Sequence, residues 1–459
     1  MKFKELFFDR RFYKKLLLVA VPIMVQNGIT NVVNMADNMM VGQVGTSEMS
    51  GVAIANQLIL IMYLCLFGGV SGAGIFTAQF YGKDDRDGVR HTLRYKIYIC
   101  LIIAAICTAV FTLAKDPLIN FYLRDTEAQS VPVAFAAGTE YLKIMIWGFL
   151  PFSIMQAYAS TMRETGNTLP PMVAGVIAVI MNLVLNYVLI FGHFGAPELG
   201  VAGAAIATVI SRYAECIIVV IWAHLSKKTK PLLKGAYRSF KIPMSLVKTI
   251  TVKGMPLVLN ETLYAAAFAV LLSIYSGRGI EAIAAYNITT TVSNVFNVVY
   301  MALGIAVSIV IGQMLGANEI DEAKHRLPQL LIFSIAVSSC VAVIMLIFAP
   351  LIPAFYNTTD AVKDMAASLM RINAMYMPFY TYIHASYFII RAGGRTVLTF
   401  LFDCGMLWCV YVPVAFLLIN FTDLSLVWTF LLVQGIEIPR SFIGAYMLKK
   451  GVWANNIVS

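Results

Sequence analysis

The sequence predicts an all-α polytopic membrane protein whose twelve transmembrane helices form two six-helix bundles related by a parallel internal repeat. Composition is the first observation behind this. Of 459 residues, 59% are hydrophobic and 13% charged, with a mean hydropathy of +0.78, whereas a soluble domain carries about 25% charge. The second is that the chain is written twice. LLVAVPIMVQNGITN returns as VKGMPLVLNETLYAA, so that Pro22 and Pro256 stand 234 residues apart. AQFYGKDD (Gln79, Gly82) returns as GQMLGANE (Gln313, Gly316) at the same spacing, and MRETGNTLP (Arg163, Gly166) returns as IRAGGRTVL (Arg391, Gly394) at 228. Parallel duplication of an apolar unit is characteristic of transporters.

Each span must cross about 30 Å of hydrocarbon, which takes about 20 residues of helix. Apolar runs of that length lie near 16–41, 51–80, 93–114, 137–162, 171–192 and 200–225 in the first half. The second half has them near 251–276, 284–314, 328–352, 368–390, 396–419 and 424–448. The expected organisation is therefore an N-terminal bundle over 1–225, a basic connector over 226–250 and a C-terminal bundle over 251–459. Lys and Arg cluster at Lys2 to Lys15, Lys83 to Arg94, Lys227 to Lys253, Lys324 with Arg326, and Lys449 with Lys450. The alternate loops hold few cations, among them Lys115, Arg124, Arg278 and Lys363. Basic loops stay in the cytoplasm, so both termini and the connector are expected on that side of a plasma (inner) membrane. The net charge of +10 then follows from topology. It calls for anionic lipid as a partner, not nucleic acid.

The seven cysteines all fall within expected spans and none is in a CxxC spacing. Neither a disulfide framework nor a metal site is implied, and no cofactor beyond a coupling ion is expected. The first apolar run continues into a full span containing Pro, Gln, Asn and Asp, with no small-residue cleavage site. It reads as a first helix and not as a removed signal.

Backbone breakers and polar residues inside the bilayer carry most of the functional information. Pro22 and Pro256 fall within the first helix of each repeat, where the ring removes a hydrogen bond and bends the helix. Asp37 lies in NVVNMADNMMVG, toward the outer end of the first helix, amid Asn31, Asn34 and Asn38. A carboxylate at depth must be protonated, paired or bound to a cation; at the interface it is simply hydrated. In MNLVLNYVLIFG, Asn182 and Asn186 are four residues apart and share a helical face. With Asp37 and the Thr208 hydroxyl they would make an oxygen-rich nest for a proton or a hard monovalent cation.

The second half differs. Leu271 stands where Asp37 stands by the 234-residue offset, while Glu261 stands opposite Asn27. Glu261, one and a half turns past Pro256, would face a cavity and bind a cationic substrate or a proton; bonded to Asn260 or a tyrosine, it would be structural. The tenth span, NAMYMPFYTYIHASYF, interleaves Tyr380 and Tyr382 with methionines. Such π faces and soft side chains suit flat organic cations. Asp403 and Glu437 are expected to pair with arginines such as Arg440, and His384 to be structural.

ADNMMVGQVG, NLVLNYVLIFGHFGAPELGVAGAAIAT and the turns MRETGNT and IRAGGRT together resemble the multidrug and toxic compound extrusion (MATE) family, from about Leu16 to Trp453. The resemblance leans toward its DinF-like members. It implies two bundles facing each other across a cleft that opens alternately inward and outward. It further implies a monomer that exports organic cations and drugs against H⁺ or Na⁺. The family's first-helix acid is similar to Asp37, and its fifth-helix polar pair to Asn182 and Asn186. Some relatives have Asp where this chain has Asn186. Many have acids on the seventh and tenth helices; Glu261 sits about one turn earlier, and no acid lies between Arg371 and Arg391. Two other functions fit less well. A lipid-linked oligosaccharide flippase of the same superfamily needs a cationic cleft, whereas the intramembrane charges here are mostly acidic. A membrane-embedded enzyme needs a motif such as HExxH or GxSxG within its spans.

Overall fold

Chain atoms that cross lipid must satisfy their own backbone polar groups, and continuous helices do this within a single segment. The computed structural model describes residues 10–123, 131–356 and 358–459, apart from the side chains of Arg10, Arg11, Asn34, Met35 and Asn38. Lys2, Lys4 and Arg124 therefore lie outside the described residues, as do the side chains of Asn34 and Asn38. Among the described residues, twelve long helices follow one another: α1 (Arg10–Gly42), α2 (Thr46–Gly82), α3 (Arg86–Leu113), α4 (Val131–Glu164), α5 (Leu169–Phe191) and α6 (Gly200–Leu225), then α7 (Met244–Tyr275), α8 (Ile280–Gly316), α9 (Ile320–Phe348), α10 (Asp360–Ala392), α11 (Thr396–Phe421) and α12 (Leu426–Lys449). Eleven are long and apolar enough to cross a membrane. The exception is α10, whose Asn373, His384 and tyrosines dilute its apolar run. The protein is a multi-pass, all-helical membrane protein.

The duplication is visible in the backbone. Helices α2 and α8 are both 37 residues long. Asp84 and Asn318, 234 apart, both take a left-handed conformation at φ 57° and 62°. Gly166 and Gly394, 228 apart, do so at 74° and 73°. Pro22 and Pro256 both lie inside helices that remain continuous through them.

The chain divides into two compact units. One comprises Val25–Thr77 and Arg86–Thr251; the other comprises the chain up to Met24, Ala78–Asp85 and Val252–Ser459. In the first, α5 and α6 form a close hairpin. A Cβ on Gly203 would lie 2.5 Å from the Leu189 carbonyl oxygen, and Ala204, Ala205 and Ala207 beside it are buried. The small residues of ELGVAGAAIAT are thus the condition for that approach.

In the second unit, the two copies of the QxxG segment pack against each other. A Cβ on Gly82 would sit 1.9 Å from the Gln313 carbonyl oxygen, and one on Gly316 would sit 1.9 Å from that of Gln79. The segment after α12 seals this contact. Gln79 Nε2 donates to the carbonyls of Ala392 (2.9 Å) and Asn455 (3.2 Å), its Oε1 accepts from Ile457 N (2.8 Å), and Lys83 Nζ donates to Val458 O (2.7 Å). Trp453 beside them is fully buried.

Candidate functional site

One turn of α5 presents two amides on a common face, and α1 brings a carboxylate to them. Asn182 and Asn186 are 7% and 1% exposed, while Asp37 is half-buried. Asn186 Nδ2 donates to Asp37 Oδ1 at 2.6 Å. With its amide turned so that both ends are satisfied, Asn182 donates to both Asp37 oxygens at 3.0 Å and accepts from Thr208 Oγ1 at 3.1 Å. The Tyr141 hydroxyl of α4 meets Thr208 from the other side. Asn186 Oδ1 is buried with no hydrogen-bond partner among the described residues. The structure therefore gathers Asp37, Asn182, Asn186 and Thr208 into one nest and adds Tyr141, which the sequence reading missed.

A cation stands nearby. Arg212 of α6 acts electrostatically on Asp37. It is itself held by Glu215 at 3.1 Å and by the Phe152 ring, 4.6 Å from its guanidinium carbon. Asp37 thus sits in a field of partial donors with a guanidinium already claimed by another acid. Such an arrangement can stabilise a carboxylate without neutralising it.

The second unit is built differently at the same repeat positions. Leu271, Val410 and Val414 replace Asp37, Asn182 and Asn186 by the 234- and 228-residue offsets; Leu271 lies in an apolar core with Leu407 and Ala415, and the half-buried Val410 and Val414 pack against it. Polarity appears instead two to three turns away along α7. Asn260 is buried and donates to Asp403 Oδ2 at 2.9 Å and to the Tyr387 hydroxyl at 3.4 Å. Its repeat counterpart Gln26 packs on Gly175, the counterpart of Asp403. Glu261 is half-buried, with Arg391 and Asp403 as its charged neighbours. Tyr380 donates to Asn373 Oδ1 at 3.3 Å. Tyr382 packs against the apolar core containing Leu303 and Phe388. Asn260 and Glu261 are thus brought to one buried polar cluster, whereas Tyr382 belongs to an apolar surface. His384 Nδ1 lies 2.9 Å from Tyr380 O, with the ring against Tyr300.

One buried ion pair was not anticipated. Lys96 of α3 is fully buried; its ammonium bonds Glu164 and donates to Ser160 Oγ (3.1 Å) and Thr161 Oγ1 (3.2 Å) of α4. The sequence reading ended the basic cluster at Arg94 and gave Lys96 no role. The signal lay in its apolar setting, KIYICLIIAA.

A profile of the MatE family matches residues 22–188 and 256–417, one stretch in each repeat. Over 448 residues the chain is 25% identical to the probable multidrug resistance protein NorM of Thermotoga maritima, covering 97% of this chain and 94% of the relative. It is 26% identical over 449 residues to the probable multidrug resistance protein YoeA of Bacillus subtilis, covering 96% and 93%. Among solved structures, an outward-facing multidrug resistance MATE transporter of the MOP superfamily superposes with a TM-score of 0.85 at 17% identity, covering 97% of each chain. At that identity the last likeness is one of fold.

Proposed function

Since the chain belongs to the multidrug and toxic compound extrusion family and is a membrane transporter, we propose that it exports organic cations and drugs in exchange for protons, with Asp37 as the coupling carboxylate. The observation that carries this reading is the Asp37 nest. Among the described residues its carboxylate accepts from the Asn182 and Asn186 amides, and the buried Asn186 Oδ1 beside it has no donor. A proton on Asp37 turns one acceptor oxygen into a donor. The Asn186 amide, turned over, then offers the matching oxygen. Protonation thereby changes what α1 and α5 can bond to each other. An ion can drive a conformational cycle only through different affinities for its two states, and this rearrangement supplies such a difference. A single carboxylate favours a proton over Na⁺, which needs several oxygens without competing donors.

Alternating access would expose the substrate site to either side in turn, with Pro22 and Pro256 as points where α1 and α7 can bend. Glu261 would attract cationic substrates, with Tyr380 supplying aromatic contact. The same reading has the protein work as a monomer in the plasma membrane with its termini in the cytoplasm. The test is dye efflux from loaded proteoliposomes, driven in turn by a pH gradient and by a Na⁺ gradient. A pH gradient alone should drive export of an organic cation. Export driven by neither gradient would end the proposal.

A further inference from the structure

The second unit holds a set of buried charges that the coupling scheme does not use. Asp403 of α11 and Glu437 of α12 are 8% and 6% exposed, and they share the guanidinium of Arg440, itself 5% exposed. Arg440 Nη2 donates to Asp403 Oδ1 at 2.5 Å, while its Nη1 stands 3.6 Å from Glu437 Oε2. Asp403's other oxygen accepts from Asn260. Asp403 lies in a π-helical turn, Leu401–Gly405, and Tyr411 ends a second one, Leu407–Tyr411, with its hydroxyl against Glu437 and Arg440. Single π turns inside helices shift the register of side chains and concentrate at functional sites. The matching stretch of α5 is regular.

Counting charge identifies what is missing. Two carboxylates face one guanidinium, so the group carries one uncompensated negative charge. Asp403 takes the short bond and the amide; Glu437 has the longer contact with Arg440 and the neutral Tyr411 hydroxyl. The groups facing Glu437 from neighbouring helices are phenols: Tyr264 of α7, Tyr300 of α8 and Tyr380 of α10. His384 of α10 and Glu261 of α7 face Asp403. Arg391 of α10 faces Glu261 and Tyr387. None of these supplies Glu437 with a second cation. Asn260, bonded into the group through its nitrogen, keeps a buried oxygen with no partner among the described residues. A carboxylate so placed, out of water and beside a guanidinium it must share, resolves its charge by taking up a proton.

We propose that Asp403, Glu437 and Arg440 form a second proton-binding site, with an exchangeable proton on Glu437. Its participation in transport rests on the proton-coupled reading above; its occupancy by a proton does not. Infrared difference spectra of the purified full-length protein, recorded through a pH titration, test this. Labelling glutamate with ¹³C at the side-chain carboxyl shifts a Glu437 band away from that of Asp37. The expected result is a labelled, protonated carboxyl band that titrates in the wild type, persists in Asp37→Asn and disappears in Glu437→Gln. Should Glu437→Gln not fold, Asp403→Asn decides the matter. It leaves one carboxylate for one guanidinium, so Glu437 should ionise and the same band should vanish although the residue is intact. A band that survives in Glu437→Gln, or in folded Asp403→Asn, overturns the proposal, as does the absence of any labelled protonated band in the wild type.

Discussion

At the scale of single residues, Asp37 was legible because an acid amid asparagines is rare within an apolar span, and the four-residue spacing of Asn182 and Asn186 gave the face that receives it. Asp37→Asn keeps the shape and removes the charge. It should insert normally and lose coupled efflux, so cells expressing it at wild-type levels should be as drug-sensitive as cells without the transporter. Glu261→Gln should weaken binding of cationic dyes to the purified protein more than binding of neutral ones; equal affinities would place the residue outside the substrate path. Lys96 was illegible because its partner lies 68 residues away and only tertiary structure joins them. Removing one member of a buried pair costs about 3–5 kcal/mol, whereas replacing both is often nearly neutral. Lys96→Met should therefore lower the melting temperature sharply, and adding Glu164→Gln should restore much of it.

At the scale of elements, length and apolarity foretold the helices well, since crossing lipid leaves the backbone few options. The π turns of α11 were not foretold, because their cause is packing and not local propensity. Nor did the recurring QxxG segment reveal that its two copies meet. That contact sets a stringent test. Gly316→Ala pushes a methyl group toward the Gln79 carbonyl, and overpacking of this kind costs about 1–3 kcal/mol or more. A thermal-shift assay should show clear destabilisation. Gly28→Ala is the control: nothing stands within 4 Å of its added Cβ, and the helix should gain up to about 1 kcal/mol.

At the scale of the whole molecule, the duplication was plain in the sequence, but the division of labour between its copies was only half visible. The exchange of Asp37 for Leu271 marked where the second copy lost polarity. That Asn260 and Asp403 replace Gln26 and Gly175 emerged only once α7 and α11 were seen together. If Asp37 is the sole coupling acid of its nest, efflux should follow a proton gradient at constant Na⁺. A requirement for Na⁺ at fixed pH, with indifference to the proton gradient, would reassign the ion. The anchoring of Gln79 and Lys83 also bears on biosynthesis. Their hydrogen-bond partners include the backbone at Asn455, Ile457 and Val458, so a segment inserted early waits for nearly 380 further residues to be translated before its bonds can close. Closure of that contact therefore waits until residues 455–458 have left the ribosome, and ribosome-stalled chains ending before Asn455 should remain open to proteases around residues 79–83.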